Sequence, residues 1–290
     1  MAIVAEPLGA SGFSGGSPSS SYAMTGTWAQ LVAAHAATPF ALNTRLRCSD
    51  VGVNGSDWSV NSSSELFPIE PITLHTATDS YARAPTGTIG TGASGNITFG
   101  TAAARAYTEG LYVYLPTIAT TPAITAGYYW CVMSSTTLGT LYASKGGAAI
   151  NFSAGAGYTG VTTSVAGQSI LTLKGGVMGS YRRIQFSCAA QFTNNANVKY
   201  PTLWFENSGS SPSSSAASRA GASFMLTISA RGSASRQLFD GAVLGNESTS
   251  PLFFAVDTST DRVFSLGWYS GTTATDWIIF DRFIATLFPR

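Results

Sequence analysis

The chain has 290 residues, a net charge of +1 and only 10% charged residues, against about 25% in an ordinary soluble domain. Hydrophobic residues reach 44% and aromatics 12%, so a core can be buried and wholesale disorder is not expected. The 15 basic residues nearly balance 14 acidic ones, and the longest basic cluster is the pair Arg182-Arg183. Neither a phosphate-gripping surface for nucleic acid nor a polybasic membrane anchor follows.

Residues 1–39 read as an N-terminal arm and helix. The start, MAIVAEPLGA, lacks the basic and long apolar stretches of a signal peptide, so synthesis in a cytoplasm without export by the general secretory route is expected. SGFSGGSPSSS over 11–21 is Gly/Ser-rich and loop-like. TWAQLVAAHAA is the one helix candidate; Thr25 or Thr27 can cap it and Pro39 stops it. Trp28, Leu31, Val32 and His35 fall at helical spacing on one face. Two readings are open: a helix closing its own domain, or an anchor in which Trp28, Leu31 and Val32 dock on a neighbouring subunit. The arm lacks the apolar content to fold alone and favours anchoring.

Residues 40–177 read as a Gly-rich β domain and 178–290 as a C-terminal β-sandwich, with the boundary near GGVMGS. Strands are predicted at 111–115, 128–133, 169–174, 183–192, 202–207, 223–231, 251–257, 262–269 and 276–288, where β-branched and aromatic residues lie between Gly, Ser, Asn and Pro clusters. Many short strands without intervening helices give an all-β class: antiparallel β-sandwich or jelly-roll domains. In the last strand Ile279, Phe283, Ala285 and Leu287 share one parity and face the core, unless a bulge near Asp281 shifts the register. SGSSPSSSAAS over 208–218 is a polar surface loop.

Chemistry-bearing motifs are sparse. Two GxGxxG matches, from Gly90 and Gly155, precede strand-like NITFG and VTTSV instead of a helix, so no nucleotide site is assigned. Cys48, Cys131 and Cys188 are too few and too scattered for a disulfide framework or a metal site. They read as small apolar side chains in strands. His35 and His75 read as packing or hydrogen-bonding residues. Asp257 and Asp261 flank a turn, and Asp276 and Asp281 bracket WIIF. The first pair reads as turn chemistry; a glycosidase would need two acids about 5–9 Å apart in a groove. The sequons at Asn54, Asn61, Asn96 and Asn246 read as ordinary turn residues. No catalytic, metal or cofactor residue is assigned, and the chain is read as a non-enzyme. The consecutive aromatics Tyr128, Tyr129 and Trp130 stand out. A strand shows them on both faces, so one face meets the core while the other can meet a partner.

Residues 109–144, with Ala126-Gly127-Tyr128-Tyr129-Trp130-Cys131, Ser134-Ser135 and Gly139-Thr140-Leu141-Tyr142, resemble a module of bacteriophage virion proteins. The ending DWIIFDRFIATLFP is similar to the closing strand of jelly-roll domains in phage fibres. This resemblance implies a fibre, spike or capsid-surface protein, commonly trimeric, located in the virion and contacting other virion proteins. It transfers no catalytic residues. The expectation is a tail-fibre or receptor-binding protein, with a host-surface glycan as a further partner and no nucleic acid or membrane insertion. The alternatives are a capsid decoration or head-fibre protein and a glycan-degrading tailspike.

Overall fold

The computed structural model describes residues 21–77, 79–161, 169–195, 197, 199, 201–205, 221–233, 235–244, 247–254, 256–268 and 274–289. The arm before residue 21, the 208–218 loop and Asn246 lie outside the described residues. The elements in chain order are β1 (Met24–Gly26), α1 (Trp28–Ala37), β2 (Leu46–Cys48), β3 (Ser56–Val60), β4 (Leu66–Pro68), β5 (Ile72–Ala77), β6 (Ser80–Arg83), β7 (Gly87–Ile89), β8 (Asn96–Phe99), β9 (Leu111–Leu115), β10 (Gly127–Met133), β11 (Leu138–Tyr142), β12 (Ala156–Tyr158), β13 (Ser169–Leu173), β14 (Arg183–Phe192), β15 (Pro201–Phe205), β16 (Gly221–Ala230), β17 (Gln237–Leu244), β18 (Glu247–Phe254), β19 (Arg262–Trp268) and β20 (Ile278–Phe288). The protein is all-β, with one short helix among the described residues.

Three sheets form. A four-stranded sheet runs β1-β2-β3-β4 and a three-stranded one runs β13-β19-β15. The large sheet runs β12-β7-β8-β11-β10-β9-β6-β20-β14-β16-β17-β18, with β5 also paired to β20. Most pairings are antiparallel, as the alternating sequence predicts, but β1 with β2 and β6 with β9 are parallel. The three-stranded sheet packs on the large one in sandwich fashion: the Phe264 ring of β19 lies 4.9 Å from Phe186 of β14.

β20 is central. It pairs with β14 along its whole length, and its other edge meets β5 near its end and β6 near its start. Between Ala189 and Ala190 the register shifts: Arg282 opposes Ala189, Phe280 opposes Ala190, and Asp281 is the extra residue. That bulge exchanges the faces, because side chains alternate with period two. Phe283, Ala285 and Leu287 enter one core together with Ile278 and Phe280, whereas Ile279 enters the other with Trp277. The expectation that all four residues share a core is corrected for Ile279.

The two cores do not divide near residue 177. The larger unites α1, the four-stranded sheet and β5 with β13, β14, β16, β19 and β20. The smaller joins residues from Ala82 to Tyr158 with Trp277 and Ile279. Long-range pairing of the last strand, which residue order does not reveal, ties both together.

Helix α1 is capped by Thr27. Its hydroxyl accepts from the Gln30 backbone N–H at 3.4 Å, and the Gln30 side chain accepts from the Thr27 N–H at 2.9 Å. This capping box satisfies two otherwise orphaned donors. Thr27→Ala is expected to lower stability by about 1 kcal/mol in urea unfolding; an unchanged midpoint would show that tertiary contacts alone hold the helix start.

Candidate functional site

Strand alternation builds an aromatic row. Across neighbouring strands, Tyr142 of β11 opposes Trp130 of β10, Trp130 opposes Tyr112 of β9, Tyr112 opposes Tyr81 of β6, and Tyr81 opposes Phe280 of β20. Directly paired residues share a face. One register step along, Tyr128 opposes Tyr114. The rings touch: Tyr81 stacks on Tyr112 at 5.0 Å, Tyr112 meets Trp130 edge-on at 4.9 Å, and Tyr128 meets Tyr114 at 5.2 Å and Tyr81 at 5.8 Å. Such edge and offset contacts add about 0.5–1.5 kcal/mol per pair beyond burial. Tyr81, Tyr112, Tyr114, Tyr128 and Tyr142 are half-buried.

The reverse face of the same strands is core. Ala82, Leu111, Val113, Leu115, Cys131, Met133 and Leu141 pack in the smaller cluster, with Tyr129 against it. At one end of the row the Lys145 ammonium sits 5.0 Å above the Trp130 ring and also pairs with Asp79 beside β6. At the other, Tyr114 meets buried Trp268 at 5.2 Å. Burial, with the neighbouring Tyr112 and Asp79, pushes the Tyr81 phenol upward, so it stays a neutral donor at physiological pH.

Of the three aromatics singled out in sequence, Tyr128 and Trp130 join this row and Tyr129 points the opposite way, its hydroxyl donating to the Thr125 carbonyl at 3.1 Å. Trp130 is buried; Tyr128 and Tyr129 are half-buried. Tyr81, Tyr112, Tyr114 and Tyr142 were not found by sequence. LYVYL and SYAR carried the signal, since alternate aromatics in a strand share a face, but the pairing order that unites them was not legible.

The helix residues part company. Trp28 and Leu31 are buried in the chain's own core: the Trp28 indole N–H donates to the Gly175 carbonyl at 2.7 Å, and its ring lies 4.5 Å from Trp58. Val32 is 42% exposed. Of the three residues expected to anchor the chain, Val32 alone faces outward.

The carboxylates have structural partners. Asp257 accepts from the Ser259 N–H at 2.9 Å, a turn contact, and Asp261 from the Gly175 N–H at 2.9 Å. Buried Asp276 accepts from the Asn195 and Asn197 amides at 2.6 and 3.4 Å. Asp281, at the bulge, accepts from the Ser80 hydroxyl at 3.0 Å and from Gln191. His35 accepts from the Phe40 N–H at 3.0 Å, so its other nitrogen donates to the Ser64 carbonyl at 2.9 Å. His75 lies 6.0 Å from the Phe283 ring, and burial pushes its pKa down. Cys48, Cys131 and Cys188 are free and buried; burial raises the first two thiols to about 11 and about 12.

No protein-family model matches the chain, and no curated protein matches it.

Proposed function

We propose that this chain is a non-enzymatic structural protein of a bacteriophage virion, of tail-fibre or receptor-binding type. The observation that carries the reading is the row of half-buried tyrosines on one sheet face of a nearly uncharged all-β scaffold. Tyrosine presents a rigid apolar body with a polar tip, which suits both a saccharide ring and a neighbouring subunit. A surface poor in Lys and Glu gives little colloidal protection to a free chain and is natural in an assembly. The chain then works as a trimer, with residues 1–38 toward the particle. Trp28 and Leu31 stiffen the base of that arm by closing their own core, and Val32 remains available to the neighbour.

Quantitative mass spectrometry of purified particles tests this. The expected result is the protein in intact virions at a copy number divisible by three; absence from particles sinks the reading. Light scattering of the pure protein at micromolar concentration is expected to give three times the 30.1 kDa chain mass. A folded monomer there would remove the trimer.

A further inference from the structure

Away from the tyrosine row, two adjoining clefts meet at Tyr181. The larger, of about 770 Å³, is lined by Tyr181, Arg183, Ser229, Ala230, Arg231, Gly232 and Pro289. The smaller, of about 360 Å³, shares Tyr181 and Pro289 and adds Ser62, Ser63 and Glu65. Both volumes lie in or near the range of small-ligand sites, about 300–1,000 Å³. Tyr181 is 50% exposed, the most exposed aromatic among the large hydrophobics of the described residues.

The basic pair noted in sequence explains the polarity. Arg182 turns inward, where its guanidinium donates to the Val177 carbonyl at 2.6 Å and covers the Trp58 ring at 5.2 Å, and it also lines the smaller cleft beside Glu65. Arg183 goes outward to the larger cleft, its guanidinium 4.9 Å above the Phe288 ring. A guanidinium laid on an aromatic face keeps its N–H edge for a planar anion. Arg231 lines the same cleft from the turn after β16. Two backbone bonds hold that turn in place: Ala230 N–H to the Arg182 carbonyl at 2.9 Å and Gly232 N–H to the Ser180 carbonyl at 2.8 Å. Among the described residues neither Arg183 nor Arg231 has a carboxylate partner.

We propose that this double cleft binds an acidic saccharide. The carboxylate-bearing sugar occupies the larger cleft and is held by Arg183 and Arg231. Tyr181 stacks on the sugar chain between the clefts. A neighbouring neutral sugar lies in the smaller cleft, where Ser62, Ser63 and Glu65 offer hydroxyl and carboxylate partners. In the smaller cleft the Glu65 charge is offset by the neighbouring Arg182, so Arg183 and Arg231 of the larger cleft draw the acidic sugar there while Glu65 accepts from neutral hydroxyls. A bare anion would use the arginines but not Tyr181 or the second cleft. The inference deepens the attachment reading, on which it rests for its biological purpose, and uses a site separate from the tyrosine row.

Isothermal titration of the full chain with sialyllactose, a diglucuronic acid, lactose and inorganic phosphate tests it. At least one acidic saccharide is expected to bind about tenfold or more tightly than lactose, since charge-assisted hydrogen bonds contribute most of the affinity. Arg183→Gln and Arg231→Gln, both at exposed positions, are each expected to weaken that binding about tenfold with the circular dichroism unchanged. Tyr181→Ala is expected to remove saccharide binding while leaving the circular dichroism unchanged. Three results overturn the proposal: no binding of either acidic saccharide, binding indifferent to both arginine variants, or phosphate competing as well as the saccharide. Absence from particles would overturn the virion reading and leave a positive titration standing. A failed titration with the protein present in particles would do the reverse.

Discussion

Phe283→Ala is expected to destabilise the protein by about 3–5 kcal/mol, the usual cost of deleting a fully buried ring. Phe283 is 1% exposed and lies on β20 between Cys188 of β14 and Ala77 of β5. Its ring is 5.6 Å from Phe186 and 6.0 Å from His75. A strand held on both edges cannot shift to fill the void, so the cavity persists and the cost stays near the top of the range. Denaturant unfolding should show a lower midpoint at unchanged slope. A loss below about 1 kcal/mol would mean that the site collapses freely, in conflict with a central, doubly paired strand.

The long strands were legible because their own residues declare them. Predicted 111–115 and 183–192 coincide with β9 and β14, and 262–269 with β19 to within a residue. In each, apolar residues alternate over most of the span. Many of the strands missed are short: β1, β2, β4, β7 and β12 have three residues each, although the eight-residue β17 was missed as well. Three residues cannot display a period, and such strands form because a partner far along the chain pairs with them. The same reason hid the mixed cores. β20 meets β5 and β6 across some 200 residues, and no local pattern encodes that choice. The Asp281 bulge was foreseeable from its sequence, an acid inside an apolar strand, but its effect on Ile279 needed the partner strand's register.

The candidate sites follow this division. Sequence exposed Tyr128, Tyr129 and Trp130 because they are adjacent, and alternation sends Tyr129 to the face opposite Tyr128 and Trp130, against the smaller core. The row's cross-strand partners lie between 12 (Trp130 and Tyr142) and 199 (Tyr81 and Phe280) positions apart, related only by register. Likewise Arg182-Arg183 was visible as a pair, but not that Arg182 is buried at the floor of the smaller cleft while Arg183 is exposed in the larger. Charge pairs in a strand divide between faces, so a basic dipeptide there counts as one surface charge.

The position of Trp130 in the row depends on a single glycine, and Gly110→Ala is expected to cost about 2–5 kcal/mol. Gly110 has φ +88°, a conformation that costs an L-residue about 1–2 kcal/mol. A Cβ there would also stand 2.2 Å from Trp130 Cζ2, an overlap only a moved indole can relieve, at about 1–3 kcal/mol for overpacking. Gly146→Ala separates the two contributions. Gly146 has φ +77° but open space around its Cβ position, so its variant should lose only the backbone cost. Denaturant unfolding of both variants is expected to place Gly110→Ala well below Gly146→Ala. The near-ultraviolet circular dichroism should change only for Gly110→Ala, because its Trp130 must leave the contacts with Tyr112 and Lys145. Equal stabilities and unchanged aromatic signals would show that the indole has room to move, and that the row is not the rigid surface the proposed function requires.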